Sequence, residues 1–382
     1  MNEVNPESES IESPAAAFAN APEEQSPSSP MLDNPSQPED VPLAAKPSAL
    51  RFAFFGSDGL RAGWGLLIFI AILFAVGYTV RLASKAIRNH YSPAAASKAA
   101  QDAEASKPMA PRAAIIGEGS TFLVVMLATF IMSRIERRRF GVYGLGGTHR
   151  LRQFLAGLFW GVVCLSLLVG LLHLSGFLQF DARLLGNGAA FRYGLIWAVG
   201  FLFVALLEET LLRGYAQYTL ARGFAGIYGA IFKNTRHRHA LGFWTAALFL
   251  SFVFGFGHGH NPGESPLGLV AAGLAGLVFC FALYRTGSLW WAIGIHASWD
   301  WAQSFLYGVA DSGLMAEGHL FATHPVGRPI LSGGLTGPEG SIFAILMLGV
   351  IAGIIFLTLR QSHRPGEGLC CPDALLEEVQ MG

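Results

Sequence analysis

The chain has 382 residues, of which 52% are hydrophobic and only 14% are charged. Soluble domains carry about 25% charged residues, so this composition excludes an ordinary soluble domain and predicts a membrane protein. The formal net charge of zero favours no class of partner. The sequence contains no phosphate-binding loop, dinucleotide fingerprint or zinc-finger spacing, and nucleic acid is not an expected partner.

The first 50 residues are acidic and rich in Ser, Pro and Ala, with almost no aromatic residues. Such a segment cannot bury enough apolar surface to fold. We therefore expect residues 1–50 to be a disordered tail. The segment lacks the basic start and apolar core of a signal peptide.

From Arg51 onward the chain is a series of apolar runs. A helix needs about 20 apolar residues to cross the hydrocarbon core of a membrane. The pattern predicts an all-α polytopic membrane protein with about eight transmembrane helices. The predicted spans are Gly63–Leu82, Ala113–Met132, Phe154–Leu174, Gly194–Leu212, Leu241–Phe256, Leu267–Tyr284, Leu289–Tyr307 and Ile342–Leu359.

Lysine and arginine residues in the loops predict the orientation. The segment SRIERRRFGVYGLGGTHRLRQ follows the second span, and the loop after the fourth contains Arg222, Lys233, Arg236 and Arg238. Both loops are predicted to be cytoplasmic, which places both termini in the cytoplasm and the Gly/Pro-rich connection 311–340 outside. The segment Arg81–Arg112 at and after the end of the first span opposes this orientation, because it also carries six lysine and arginine residues.

The stretch FVALLEETLLRGYAQ places Glu208, Glu209 and Arg213 inside an apolar run. A charge at the bilayer centre costs about 2.5–3.5 kcal/mol, so we expect these side chains to face the bundle interior or a wet cavity. Glu209 and Arg213 are four residues apart and can form an i,i+4 ion pair. Glu208 is rotated by about 100° and can point elsewhere. The alternative is that all three lie at a solvated cytoplasmic helix end.

Two later spans bring further polar groups to membrane depth. In SFVFGFGHGHNPG, His258 lies one turn after Phe254 and is followed by Asn261, and in HASWD, His296 and Asp300 share a helical face. A single histidine in an apolar helix is more often a structural hydrogen-bonding group. Here three helices each carry a titratable residue, and one glutamate with two histidines can activate a water, directly or through a metal.

The set EETLLRG, FGFGHGHNPG and HASWD resembles the three motifs of the CAAX-protease and bacteriocin-processing family of intramembrane proteases, also called the Abi (abortive-infection) domain. That family carries Glu-Glu-x-x-x-Arg, Phe-x-x-x-His and His-x-x-x-Asn or Asp, in this order on separate helices. The resemblance covers about residues 190–305. It implies a bacterial inner-membrane endopeptidase of the CAAX prenyl protease type that cleaves a membrane-associated peptide or protein within the lipid bilayer.

The resemblance also implies a role for each motif residue. Glu208 would be the general base that activates the attacking water, His258 would orient that water, and His296 would stabilise the oxyanion. Asp300 would either donate a hydrogen bond as a protonated acid or fix the tautomer of His296, and we favour the second role. The supporting residues are Glu209, Arg213, Asp300, Asn261 and Phe254.

Metal dependence stays open at this point. Glu208, His258 and His296 are the candidate ligands of a His/His/Glu zinc site with an open position for water. The sequence has no H-E-x-x-H motif, however, and activation of water by glutamate and histidine alone explains the same residues. We favour a mechanism that requires no cofactor, with zinc as the alternative.

Two other classes of function fit the same composition. The buried Glu and His residues could relay protons in a proton-coupled transporter, but no paired helix breaks are apparent in two halves of the chain. A non-proteolytic scaffold or bacteriocin-immunity-like protein would be expected to lack one of the three catalytic candidates, and all three are present. We therefore favour the protease.

These patterns divide the chain into five parts. They are the tail (1–50), the N-terminal helices with the basic cytoplasmic loop (51–190), the catalytic core (191–310), the outer loop with the last helix (311–365) and a cytoplasmic C-terminal tail (366–382). Within the core, Gly268, Ala272 and Gly276 lie four residues apart and predict a small-residue stripe for helix packing.

Overall fold

The structure is a computed structural model, and it describes residues 53–56, 59–91, 108–232 and 237–360. The predicted disordered tail (1–50) and the predicted C-terminal tail (366–382) lie outside the described residues.

Helices account for most of the described chain. They are α1 (Ala62–Tyr91), α2 (Pro111–Ile135), α3 (Arg150–Leu174), α4 (Asn187–Glu208), α5 (Gln217–Ile231), α6 (Arg238–Gly257), α7 (Pro266–Thr286), α8 (Trp290–Trp301), α9 (Pro329–Ser332) and α10 (Ile342–Thr358). Shorter helical turns are of the 3-10 type at Phe140–Tyr143, His258–His260 and Pro338–Gly340, and of the π type at Glu209–Ala216 and Ala302–Leu306.

Six helical segments of the described chain are long and apolar enough to cross a membrane. They are Ala62–Ile87, Pro111–Ile135, Arg150–Leu174, Asn187–Ile231, Arg238–His260 and Pro266–Thr286. The predicted class, an all-α polytopic membrane protein, is confirmed, but the predicted count of eight is not. The difference lies in the last two predicted spans, because α8 has 12 residues and α10 has 17, fewer than the roughly 20 that span a bilayer unaided.

Large apolar side chains cover the outer faces of these segments. Phe74, Leu123, Phe159, Leu195 and Phe252 are each at least half exposed. A water-soluble protein rarely exposes so much contiguous apolar surface. The same surface is expected where lipid is the solvent.

The fourth helical segment is longer than predicted. α4, the π segment and α5 form one helical run of 45 residues from Asn187 to Ile231. The sequence pattern places Arg222 in a cytoplasmic loop, and this prediction is wrong. Arg222 lies on α5, is only 8% exposed, and its Nη2 is 3.8 Å from Oε1 of Glu136 at the end of α2. A buried arginine with a distant acidic partner has no local sequence signal.

Capping residues set the ends of α7. The Ser265 side chain accepts a hydrogen bond from the Gly268 backbone N–H at 3.1 Å, and Pro266 occupies the first helical turn, where its missing N–H costs nothing. Gly287 ends the helix with φ 67°, a left-handed conformation that favours glycine.

Two small antiparallel sheets complete the fold. Their strands are β1 (Phe55–Gly56) with β2 (Gly59–Leu60), and β3 (Leu178–Arg183) with β4 (Phe321–Pro325). In the second sheet Leu178 pairs with Pro325 and Arg183 pairs with Phe321. The pairing ties the connection 311–340 to the end of α3. The sequence pattern did not predict either sheet.

α8, which carries His296, packs directly against α3. A Cβ atom on Gly157 would lie 2.8 Å from the backbone nitrogen of Ile295, and one on Gly294 would lie 2.9 Å from that of Leu158. Glycine therefore permits a backbone-to-backbone contact that any larger residue would push apart. This contact fixes the position of α8 in the bundle.

The substitution Gly294→Ala should lower the midpoint of thermal unfolding in detergent, because overpacking costs about 1–3 kcal/mol. The control is Gly349→Ala on α10, where an added Cβ would meet no atom within 4 Å, and it should leave the midpoint unchanged or slightly raised. Equal midpoints for Gly294→Ala and the wild type would contradict the close α3–α8 contact.

Candidate active site

The helical run that carries the two adjacent glutamates changes geometry next to them. Residues Glu209–Ala216 form a π segment, and within it Gly214 has φ −81° and ψ −109°, outside helical values. The run is therefore kinked at this point. π turns inside α-helices are frequent at functional sites. The segment carries both Glu209 and Arg213, directly after Glu208 at the end of α4.

The carboxylate of Glu209 is completely buried and has two charged or chargeable partners. Its Oε1 accepts a hydrogen bond from Arg213 Nη1 at 3.0 Å and lies 3.0 Å from His296 Nδ1. The structure thus contains the i,i+4 pair that the spacing predicts. An ionised carboxylate can only accept hydrogen bonds, so Nδ1 of His296 carries the proton that it donates to Glu209.

The guanidinium of Arg213 is held on its other sides by aromatic rings. Its Cζ lies 4.2 Å from the ring centroid of Phe254 and 5.8 Å from that of Phe279. A cation over an aromatic face is attracted by the ring quadrupole. Phe254 therefore supports the ion pair, and it also lines the cavity described below.

The second nitrogen of His296 faces two other carboxylates. Nε2 lies 3.6 Å from Glu208 Oε2 and 3.5 Å from Asp300 Oδ2. The Glu208 side chain is 30% exposed, whereas that of Glu209 is 0% exposed. The two adjacent glutamates therefore differ in environment, and Glu208 is the one that is accessible.

The structure gives Asp300 a different contact from the one that we favoured from the sequence. We expected Asp300 to fix the tautomer of His296, but Glu209 makes the hydrogen bond to Nδ1, and Asp300 lies on the Nε2 side. The four-residue spacing correctly places Asp300 and His296 on one face. It does not determine which ring nitrogen the carboxylate meets.

The three motifs meet at one cavity of about 290 Å³. Its lining includes Glu208, His258, Asn261, His296 and Asp300. His258 follows the end of α6, and its Nδ1 donates a hydrogen bond to the Phe254 carbonyl at 2.7 Å, because a carbonyl only accepts. Its other nitrogen, Nε2, is thus left for a ligand. Among the described residues, His258 and Glu208 form no ion pair within 4.0 Å.

The candidate metal ligands do not fit a zinc centre as they are placed. Among the described residues, no three His, Cys, Asp or Glu side chains are arranged to hold a metal ion. A catalytic zinc needs its ligand atoms at about 2.0–2.2 Å from one point.

Three carboxylates that we did not predict also line the cavity, Glu118, Asp311 and Glu339. Glu118 is an acidic residue in the apolar second span, so the signal that identified Glu208 could also have found it. Asp311 and Glu339 come from the connection 311–340, which folds over the cavity. Glu339 Oε1 accepts hydrogen bonds from the Ser312 backbone N–H and, at 2.9 Å, from the Ser312 hydroxyl.

Asp311 follows the π turn Ala302–Leu306 in the chain, and the acidic residues Asp300 and Glu339 act on its carboxyl group. Burial raises the pKa of the Asp311 carboxyl well above its ordinary value, and the negative charges of Asp300 and Glu339 raise it further. The Ser304 hydroxyl donates a hydrogen bond to Oδ2 at 3.2 Å, which acts in the opposite direction.

The fold and the site define an integral membrane protein with a Glu–Arg–His cluster buried behind an accessible glutamate. Residues 190–302 match the family model described as type II CAAX prenyl endopeptidase Rce1-like. The match confirms the family resemblance of the three motifs, and the matched residues contain all of them. Comparison with curated proteins and with solved structures gives no match.

The two glutamates should differ in their effect on stability. Glu209→Gln should lower the thermal unfolding midpoint strongly, because removal of one partner from a buried ion pair costs about 3–5 kcal/mol. Glu208→Gln is the matched control and should change the midpoint little, since its side chain is partly exposed. Similar midpoints for both variants would show that Glu209 is not the structural member of the pair.

Asp311 should make the protein less stable as the pH rises. A carboxyl with a raised folded-state pKa contributes stability that is complete below its unfolded-state pKa of about 4 and is lost as the pH rises through the folded-state value. Asp311→Asn should remove the part of the loss of stability with rising pH that comes from the Asp311 carboxyl. The test is the unfolding midpoint of both proteins between pH 4 and 8, and an identical decline in both would argue against the raised pKa.

Proposed function

We propose that the chain is an intramembrane endopeptidase of the CAAX prenyl protease type, which hydrolyses a peptide bond in a membrane-associated peptide or protein. The observation that supports this most directly is the 3.6 Å separation of Glu208 Oε2 and His296 Nε2 in one accessible cavity. The family match supports the class of reaction. The roles of the individual residues are our proposal.

Glu208 acts as the general base in this mechanism. It takes a proton from a water in the cavity while the water oxygen forms a bond to the carbonyl carbon of the substrate. The carbonyl oxygen becomes an oxyanion. When the C–N bond breaks, the protonated Glu208 returns the proton to the leaving amine nitrogen. His258, which lines the same cavity, holds the water through Nε2.

His296 stabilises the oxyanion. Since Nδ1 donates its proton to Glu209, Nε2 can donate only when the ring carries a second proton. The carboxylates of Glu208, Glu209 and Asp300 lie at 3.0–3.6 Å from the ring nitrogens and balance that positive charge. A donor aimed at the position where negative charge develops is usually the largest single contribution to such a reaction.

The arrangement of basic residues supports a cytoplasmic position for the loop between α2 and α3. Arg134 and Arg137 at the end of α2 are exposed, as are Arg150 and Arg152 at the start of α3. By the positive-inside rule this end of the bundle faces the cytoplasm. We propose an inner-membrane location in which the turn that contains Asp311 covers the cavity from the opposite side.

Hydrolysis of a fluorogenic peptide library by the purified chain in detergent tests the proposal. Glu208→Gln should lower kcat/KM by at least about 10²-fold, because general-base catalysis contributes about 10²–10⁴-fold. Glu317→Gln replaces an exposed glutamate elsewhere and should have no effect. A chelator should leave the wild-type rate unchanged.

Three results would contradict this account. Full activity of Glu208→Gln would remove the assigned base. Loss of activity with chelator and recovery with zinc would establish a metal-dependent reaction. Absence of cleavage by a folded wild type across the library would favour the non-proteolytic scaffold.

A further inference from the structure

Gly276 on α7 lies beside the guanidinium of Arg213. A Cβ atom at this position would be 2.7 Å from Arg213 Nη2 and 2.9 Å from the Ser251 hydroxyl. Atoms that are not bonded pack at about 3.5–4.0 Å. The absence of a side chain at Gly276 therefore creates the space that the guanidinium occupies.

Arg213 cannot move away from such a Cβ atom without losing contacts on its other sides. The ring of Phe254 lies 4.2 Å from its Cζ, and Nη1 is bonded to Glu209 at 3.0 Å. Cys280, one helical turn after Gly276, is completely buried. A displacement of the guanidinium would therefore be transmitted to Glu209.

The Glu209 carboxylate in turn holds the ring of His296. Its Oε1 is shared between Arg213 Nη1 and His296 Nδ1, both at 3.0 Å. The Nε2 atom on the far side of the ring is the one that faces Glu208. Gly276 is thus connected to the reacting groups by three successive contacts, although it does not line the catalytic cavity.

We propose that Gly276 is a positioning residue, which acts through Arg213 and Glu209 to set the orientation of His296. This inference rests on the proposed peptidase function for its kinetic consequence, but the geometry is independent of that function. It also adds to the packing role that the Gly268–Ala272–Gly276 stripe predicts, since the nearest neighbours of a Cβ atom at Gly276 are the charged guanidinium of Arg213 and the side chain of Ser251.

The test compares Gly276→Ala with Gly349→Ala, whose added Cβ meets nothing within 4 Å, in the purified full-length chain. Gly276→Ala should lower kcat about 10–100-fold with little change in KM, because a misplacement of about 1 Å near the chemistry can cost 10²-fold. Gly349→Ala should match the wild type in both constants. Wild-type kcat in Gly276→Ala would overturn the proposal.

A double-substitution comparison separates positioning from packing. Arg213→Lys removes Nη2, the atom that the new Cβ would meet, so Gly276→Ala should cost less than about threefold when it is added to Arg213→Lys. The same fold loss in both backgrounds would mean that Gly276 acts through helix packing, and the proposal would be wrong.

A spectroscopic measurement covers the case in which the rates are too low to compare. The ¹⁵N-attached proton on Nδ1 of His296, assigned by its loss in His296→Gln, should shift in Gly276→Ala but not when the same change is added to Arg213→Lys. An unshifted signal in Gly276→Ala would overturn the proposal. Since this measurement needs no substrate, it separates failure of the positioning role from failure of the peptidase function.

Discussion

The buried charge of Glu209 is the constraint on which the site depends. An ionised carboxylate in an apolar interior carries a desolvation penalty of several kcal/mol, which only well-placed partners offset. Glu209 has two such partners at 3.0 Å, and they come from different elements: Arg213 from the π segment and His296 from α8. Because this one buried carboxylate needs both partners, it fixes the position of α8 relative to the π segment.

This constraint explains why two adjacent glutamates can have different functions. Glu209 accepts the hydrogen bond from Nδ1 of His296, so the other ring nitrogen, Nε2, faces Glu208 and Asp300. Glu208 precedes Glu209 by one residue, which turns its side chain by about 100° about the helix axis. It is accessible from the cavity. One glutamate positions the imidazole, and the other is available to a water.

Much of this arrangement could be predicted from the sequence, because the signals are local. Apolar runs located the spanning helices, and the cost of charge in lipid identified Glu208, His258 and His296 as residues that face a cavity. The same rule applied to Glu118 would have found a further lining carboxylate. The contact of Glu209 with Nδ1 could not be predicted, since helical spacing defines a face but not the orientation of an aromatic ring.

Other features depend on residues that are distant in the chain. Arg222 is buried because Glu136 meets it from the end of α2, and the apolar pattern around it resembles that of a helix end followed by a loop. Asp311 and Glu339 reach the cavity only because the connection 311–340 folds back over it and is tied to α3 through β3 and β4. Glycine-rich connections carry no periodic signal, so neither the sheet nor this cover was predicted.

The most direct test of this account is the protonation of His296 in the intact protein, measured by ¹⁵N nuclear magnetic resonance of histidine-labelled chain in detergent. A protonated Nδ1 with a strongly downfield proton, present in the wild type and in Glu208→Gln but lost in Glu209→Gln, is the predicted result. A signal that persists in Glu209→Gln, or one that depends on Glu208 instead, would contradict the claim that Glu209 holds the imidazole for the reaction.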